Sequence, residues 1–270
     1  IYLNLGPLVD VVYKDREKDA ESIVSFIDKI CIEKFEPFID NSYKELAQYV
    51  NAYDQMMFMK RENIAERGIW TAKKRYILNV WDSEGVRYEE PNLKMMGIEA
   101  VKSSTPAPCR TMIKNGLKIM MNGTEEEVID YIDECRTKFK TLPPEEIAFP
   151  RTVSNVKKYH SRTDIYSKGT PIHARGALLF NFYIKKNKLD KKYSLIGNGE
   201  KIKFIYLKKP NIIQENVVSF IQDFPTELNL DKYIDYDLQF EKSFLEPLKA
   251  ILDAIGWNVE KTVNLELFFT

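Results

Sequence analysis

This 270-residue chain is best organised around the stretch 70–105, and residues 73–88 carry its clearest pattern. Lys73, Lys74, Arg75 and Tyr76 open a run with two parities. Lys74, Tyr76, Leu78 and Val80 share one, and Lys73, Arg75, Ile77, Asn79 and Trp81 share the other. A pleated strand puts these two sets on opposite faces. Asp82-Ser83-Glu84-Gly85 then supplies turn chemistry, so Val86-Arg87-Tyr88 is expected to pair back as a hairpin. Long cations and a phenol at the entrance of a rigid hairpin suit contact with a nucleic-acid backbone. They equally describe a solvated edge strand whose lysines discourage aggregation.

The segments before the hairpin supply its packing partners. Ile1-Tyr2-Leu3-Asn4-Leu5 reads as the end of a buried strand stopped by Gly6-Pro7. An amphipathic helix is expected from Asp19, with Ile23, Phe26, Ile27 and Ile30 at helical spacing. Pro37 should kink or divide it, after which Phe38, Ile39, Tyr43, Leu46, Tyr49 and Val50 continue an apolar stripe. Residues 56–65 form a strand candidate ending at Glu66-Arg67-Gly68. Strands on two long helical pieces make an α+β layer.

Composition changes at Lys102-Ser103-Ser104-Thr105-Pro106. A hydroxyl directly before proline marks a helix start, where the oxygen can cap free amides. The same free amides and the helix dipole can hold a phosphate, and both readings remain open. The helix runs past Met112, Ile113, Leu117 and Met120 to Asn122-Gly123. Thr124 and Glu127 then form a capping box for a second helix burying Val128, Ile132, Cys135 and Phe139, ended by Pro143-Pro144. Polar sequence follows to Tyr159. Pro171 to Gly176 leads into a helix carrying Leu178, Leu179, Phe182 and Tyr183, and residues 201–207 read as a strand. A last helix spans 233–255, with Gly256 as its stop.

Composition narrows the chemistry. Lys+Arg and Asp+Glu number 40 each, but basic clusters at 73–75, 157–158, 185–192 and 201–209 can build a local basic groove. Three scattered cysteines (Cys31, Cys109, Cys135) argue for free thiols in a reducing cytoplasm. Neither His160 nor His173 has a second ligand at metal-site spacing, so no zinc site is expected. No apolar run approaches a membrane span. An unrelated soluble enzyme lacks support, because there is no Gly-rich phosphate loop, ligand cluster or nucleophile elbow. Ile1 is not an initiator methionine, and the chain reads as cut from something longer.

Six ordered blocks span nearly the whole chain: residues 57–65 (MFMKRENIA), 70–82 (WTAKKRYILNVWD), 90–99 (EPNLKMMGIE), 102–106 (KSSTP), 173–176 (HARG) and 233–244 (YIDYDLQFEKSF). In that order they resemble the C-terminal part of the family B replicative DNA polymerases of T-even-type phages. The resemblance implies a partial palm over 1–101, its antiparallel strands lying on two helices. A mainly helical thumb over 102–259 and a tail over 260–270 follow. It places the two catalytic aspartates and their two magnesium ions outside this chain, with no metal bound by these residues alone. The chain by itself is therefore expected not to polymerise.

For single residues, the resemblance implies that Lys73, Lys74, Arg75 and Tyr76 follow the primer strand. Ser103, Ser104 and Thr105 meet duplex phosphates at a thumb-helix start. His173 and Arg175, with Gly176, fit a thumb segment near the duplex, although an ordinary packed histidine satisfies the same pattern. Glu62 matches an acidic position near the catalytic centre that is not an essential metal ligand; Lys60 stands where an aspartate is expected. The implied partners are primer–template DNA, the remaining polymerase portion (exonuclease, fingers, rest of palm) and a sliding clamp in the replisome of the host cytoplasm. Leu265, Leu267, Phe268 and Phe269 carry the clamp expectation, as an aliphatic plug followed by paired aromatics, with Thr262 where glutamine is usual. A tail folded back onto the thumb is the competing reading. A stand-alone nucleic-acid or clamp-binding module without polymerase activity is the competing function.

Overall fold

A computed structural model describes residues 1–14, 19–161 and 163–260. It is an α+β structure whose chain separates into two compact units, residues 1–68 with 77–94 and residues 69–76 with 95–270. The clamp-type residues Leu265, Leu267, Phe268 and Phe269 lie outside the described residues.

In the first unit, residues 1–5 form no strand, and Ile1 is 95% exposed. An extended segment needs a neighbour for its N–H and C=O groups, and among the described residues no strand pairs with it. Gly6-Pro7 opens helix α1 (Gly6–Val12) instead of stopping anything, since proline fits a first turn that needs no N–H donor. Asp19 caps α2 (Ala20–Ile30) by accepting from Ser22 N at 2.8 Å. A π-helical turn, Cys31–Phe35, joins α2 to α3 (Glu36–Tyr49), whose second residue is Pro37. A proline ring collides with the carbonyl four residues back in a regular helix, and the widened turn gives it room. Tyr13 packs edge-on against Phe26 with ring centroids 5.7 Å apart, and Val24 is buried.

Three strands in the order β1-β2-β3 form the first sheet: β1 (Asn63–Ala72), β2 (Arg75–Ser83) and β3 (Val86–Met96). The strand expected at 56–65 starts only at Asn63 and continues through Glu66-Arg67-Gly68. Glu66 does not end it because its carboxylate accepts from Asn79 Nδ2 at 2.6 Å and Trp81 Nε1 at 2.8 Å on β2. Lys73 and Lys74 are not strand residues but the two-residue turn joining β1 to β2, and Lys74 has φ +62°. The solvated edge strand that is one reading of this run is not what forms: β2 has four successive buried residues, Ile77, Leu78, Asn79 and Val80. As the central strand it is covered on both faces. The β2–β3 hairpin forms as expected, with positive φ at Glu84 and Gly85, as a tight primed turn requires.

Asp82, 2% exposed, anchors the polar interior of this unit. It accepts from Arg61 Nη1 at 2.5 Å, Gly85 N at 3.0 Å and Arg87 Nε at 3.2 Å. Arg61 Nε also donates to Asp28 at 2.9 Å. Burial alone would raise the Asp82 carboxyl, but these donors hold it below the usual carboxylate range.

The second unit is built on α4 (Ala107–Asn122) and α5 (Glu125–Phe139), the latter opened by the Thr124–Glu127 capping box. The short α6 (Pro144–Ile147) leads into β4 (Phe149–Thr152), then α7 (Ile172–Lys186), β5 (Lys201–Tyr206) and β6 (Val217–Phe220). The sheet order is β4-β5-β6, antiparallel, with Phe149 opposite Phe204 and Lys203 opposite Phe220. Strands β4 and β6 were not legible in the sequence. Helix α7 lies close on β6: a Cβ on Gly176 would fall 2.4 Å from Ser219 Oγ. The last helix is α8 (Tyr236–Phe240), a π-turn Glu241–Leu245 and α9 (Glu246–Ile255), with Pro247 second in α9 and Gly256 at φ +76° as its stop. Phe139, Phe240 and Phe244 meet in its core, with centroids 5.3 and 5.0 Å apart.

Candidate anion-binding cleft

Within the second unit, a cleft of about 390 Å³ gathers side chains from four separate stretches of chain. Arg75 comes from the start of β2, Glu99 and Lys102 from the turn before α4, Ser104 and Thr105 from the approach to α4, Arg151 from β4, and Lys242, Ser243 and Glu246 from the last helix. Four cations face two carboxylates, which leaves net positive charge in a concave site.

Arg75 makes a bidentate pair with Glu99 (Nη1–Oε1 3.0 Å, Nη2–Oε2 2.8 Å), and Lys102 Nζ adds a third bond to Oε1 at 2.7 Å. Burial acts to raise the Glu99 carboxyl, and the Arg75 and Lys102 bonds outweigh it, so it stays ionised below the ordinary range. Lys242 pairs with Glu246 one turn on. Arg151 differs: its Nη1 contacts the Ser104 carbonyl at 3.3 Å and the Pro150 carbonyl at 3.4 Å. Carbonyl dipoles leave a guanidinium's charge uncancelled, so Arg151 is the cation of the cleft best disposed toward a phosphate oxygen.

One expectation about helix starts is corrected here. The α4 N-cap is Pro106, and no side chain caps it, so Thr105 is not a hydroxyl cap. Thr105 is 5% exposed, and its backbone N–H closes a turn on Lys102 O at 3.1 Å. Ser103 is exposed and lies outside the cleft lining, whereas Ser104 and Thr105 line it.

Lys73 and Lys74 are both exposed, on the turn leading into Arg75, and Tyr76 is half-buried. Gly97, at φ +68°, backs this turn. A Cβ there would lie 2.4 Å from the Lys74 carbonyl oxygen. His173 is half-buried, its ring 6.5 Å from Phe204, and burial together with the Arg151 charge lowers its pKa. Arg175 is not among the cleft residues. It donates to Asn216 Oδ1 at 2.5 Å and lies over the Tyr166 ring at 5.7 Å. In the first unit Glu62 is exposed, and a 2.7 Å bond from Lys94 Nζ, with that cation's charge, lowers its pKa.

Arg151 and Lys242 were not singled out from the sequence. Lys242 carried one signal, a place in the last helix just before Pro247, where a widened turn changes which side chains point inward. Among the described residues, no three His, Cys, Asp or Glu converge as a metal site. Glu62 is paired with Lys94. No described helix is long and apolar enough to cross a membrane.

Over its whole length this chain is homologous to DNA-directed DNA polymerases of phages. It is 34% identical to the DNA-directed DNA polymerase of Escherichia phage RB69 over 277 aligned positions, 98% of this chain and 30% of the relative. To that of Enterobacteria phage T4 it is 29% identical over 281 positions, 100% of this chain and 31% of the relative. The chain thus spans about a third of the length of these curated relatives. No family model matches it.

Proposed function

We propose that this chain is the part of a family B DNA-directed DNA polymerase that grips primer–template duplex, with palm-derived residues 1–101 and a thumb over 102–259. The observation that carries the reading is the convergence of Arg75, Lys102, Arg151 and Lys242 in one concave site. That cleft belongs to a chain homologous throughout to phage polymerases. Fixed cations hold backbone phosphates without reading sequence. Lys73 and Lys74, on a turn backed by Gly97, extend the positive surface from the start of β2.

Polymerisation needs two magnesium ions held by carboxylates, and these we assign to the remaining portion of the polymerase. This chain's part in the reaction is to hold the duplex so that the primer end stays in register with that centre. Residues 260–270, through Leu265, Leu267, Phe268 and Phe269, are proposed to dock on a sliding clamp in the host cytoplasm. That assignment rests on their sequence pattern alone.

Binding of a recessed-end duplex over a range of salt concentrations tests the grip. Affinity should fall with a log–log slope of about −3 to −4 if about four phosphates are neutralised. Primer extension by the chain alone with magnesium and all four triphosphates should be undetectable. A slope near zero removes the duplex grip, and extension surviving rigorous purification removes the division of labour.

A further inference from the structure

His173 stands behind the cleft without lining it. It is half-buried in the first turn of α7, where Ser219 Oγ of β6 donates to its backbone carbonyl at 3.1 Å. Its ring lies 6.5 Å from that of Phe204 on β5. The Phe204 ring is stacked in turn on Phe149 of β4 at 5.2 Å, and Phe149 lines the cleft. Strand residues two apart share a face, which puts Arg151 on the Phe149 side of β4. In register Arg151 pairs with Ile202, on the Phe204 side of β5. The imidazole and the Arg151 guanidinium therefore share one face of one sheet, floored by an aromatic pair. Such a floor holds little water, so charge acts across it more strongly than through solvent.

One charge dominates at His173. Arg151, together with burial, disfavours a second positive charge on the imidazole. Helix α7 packs on β5, β6 and the turn 156–159. On α7 itself Arg175 is turned to Asn216 and Tyr166. On β5 Lys203 donates to the Glu145 carbonyl and Lys201 is exposed, as are Lys157 and Lys158 on the turn. Strand β6 carries no charge, and Glu215 just before it is taken up by the Tyr166 hydroxyl and Lys209. Burial holds the phenols of Tyr166, Tyr183 and Tyr206 neutral. A phosphate oxygen seated on Arg151 cancels the dominant charge and brings an anion with it, so the imidazole then takes a proton from solvent.

We propose that the cleft grips phosphate in a proton-linked way, with occupation of the Arg151 site loading a proton onto His173. The proposal rests on the duplex reading above and gives that site a pH-dependent strength. By linkage, affinity for duplex rises as pH falls between the free and the loaded midpoint of His173.

The chain has two histidines, so their ring-proton NMR signals can be followed against pH, with His160→Gln making the assignment. The full chain is titrated alone, with a recessed-end duplex and with inorganic pyrophosphate, all at low salt. The His173 midpoint should move up with either ligand, and duplex affinity should rise about five- to tenfold from pH 7.5 to 5.5. His173→Gln should remove that rise, as should His173→Phe if the glutamine variant does not fold, whereas His160→Gln should keep it. Arg151→Gln should abolish the upward movement, because phosphate then has no neighbouring charge to cancel. A His173 midpoint unmoved by both ligands overturns the proposal, and so does a pH dependence that survives removal of His173. Movement that persists in Arg151→Gln would seat the phosphate on His173 itself and overturn the coupling. Pyrophosphate keeps the two readings apart. If duplex does not bind while pyrophosphate still moves His173, the duplex grip falls and the proton link stands; tight duplex binding with a flat pH profile does the reverse.

Discussion

Gly97 and Lys74 touch through backbone atoms alone: the space a Gly97 side chain would occupy is filled by the Lys74 carbonyl oxygen, 2.4 Å from an ideal Cβ. The turn carrying Lys73 and Lys74 is thereby held at the mouth of β2, and Gly97 itself has φ +68°. Gly97→Ala meets both the collision and the left-handed backbone penalty. It should cost about 1–3 kcal/mol and weaken duplex binding. Chemical denaturation and a binding titration check both, and an unchanged midpoint would mean the turn shifts freely.

Arg151 should contribute to binding out of proportion to its inconspicuous sequence context. Arg151→Ala is expected to flatten the salt slope by about one unit, and Lys73→Ala with Lys74→Ala by up to about two. An unchanged slope for the lysine pair would make them ordinary edge charges.

Glu99 competes with any phosphate for Arg75 and Lys102, so its removal should act oppositely on affinity and stability. Glu99→Gln is expected to tighten duplex binding severalfold while costing about 1–3 kcal/mol of folding free energy. Looser binding would mean that Glu99 positions the cations and does not compete with the ligand.

Both Glu99 and His173 titrate below their ordinary values of 4.5 and 6.5. In each case the unfolded chain binds protons more readily, so stability rises with pH through the interval between the two values. The His173 contribution is complete above about pH 6.5 and declines as pH falls below it; the Glu99 contribution declines below about pH 4.5. Replacing His173 with phenylalanine should flatten the upper part of a plot of stability against pH. A plot unaltered between pH 7.5 and 5.5 would remove His173 from this account.

Asp82→Ala leaves the half-buried Arg61 guanidinium without its closest counter-charge. It should cost about 3–5 kcal/mol, measured by urea denaturation. A cost below about 1 kcal/mol would show that Asp28 suffices for Arg61.

Local rules reached much of this structure from the sequence. The Thr124–Glu127 box, the Glu84-Gly85 turn, the helix start at Asp19 and the Gly256 stop each depend on a few neighbouring residues, which chain order already juxtaposes. Pro37 marked a break, but the π-turn that accommodates it, repeated before Pro247, depends on how the helix continues on both sides. Arg75, Ser104 and Thr105 were found as separate signals. That they share a cleft with Arg151 and Lys242 follows from β4 pairing with β5 and from the last helix packing beside α4. Those contacts join residues far apart in the chain. Burial was hardest to read. Period and composition describe a face without saying what covers it, so β2 became a central strand buried on both sides. The apolar stripe of α3, equally plain in sequence, has none of its residues fully buried. Sequence therefore determined which surfaces are apolar, and only the tertiary arrangement decided which of them meet.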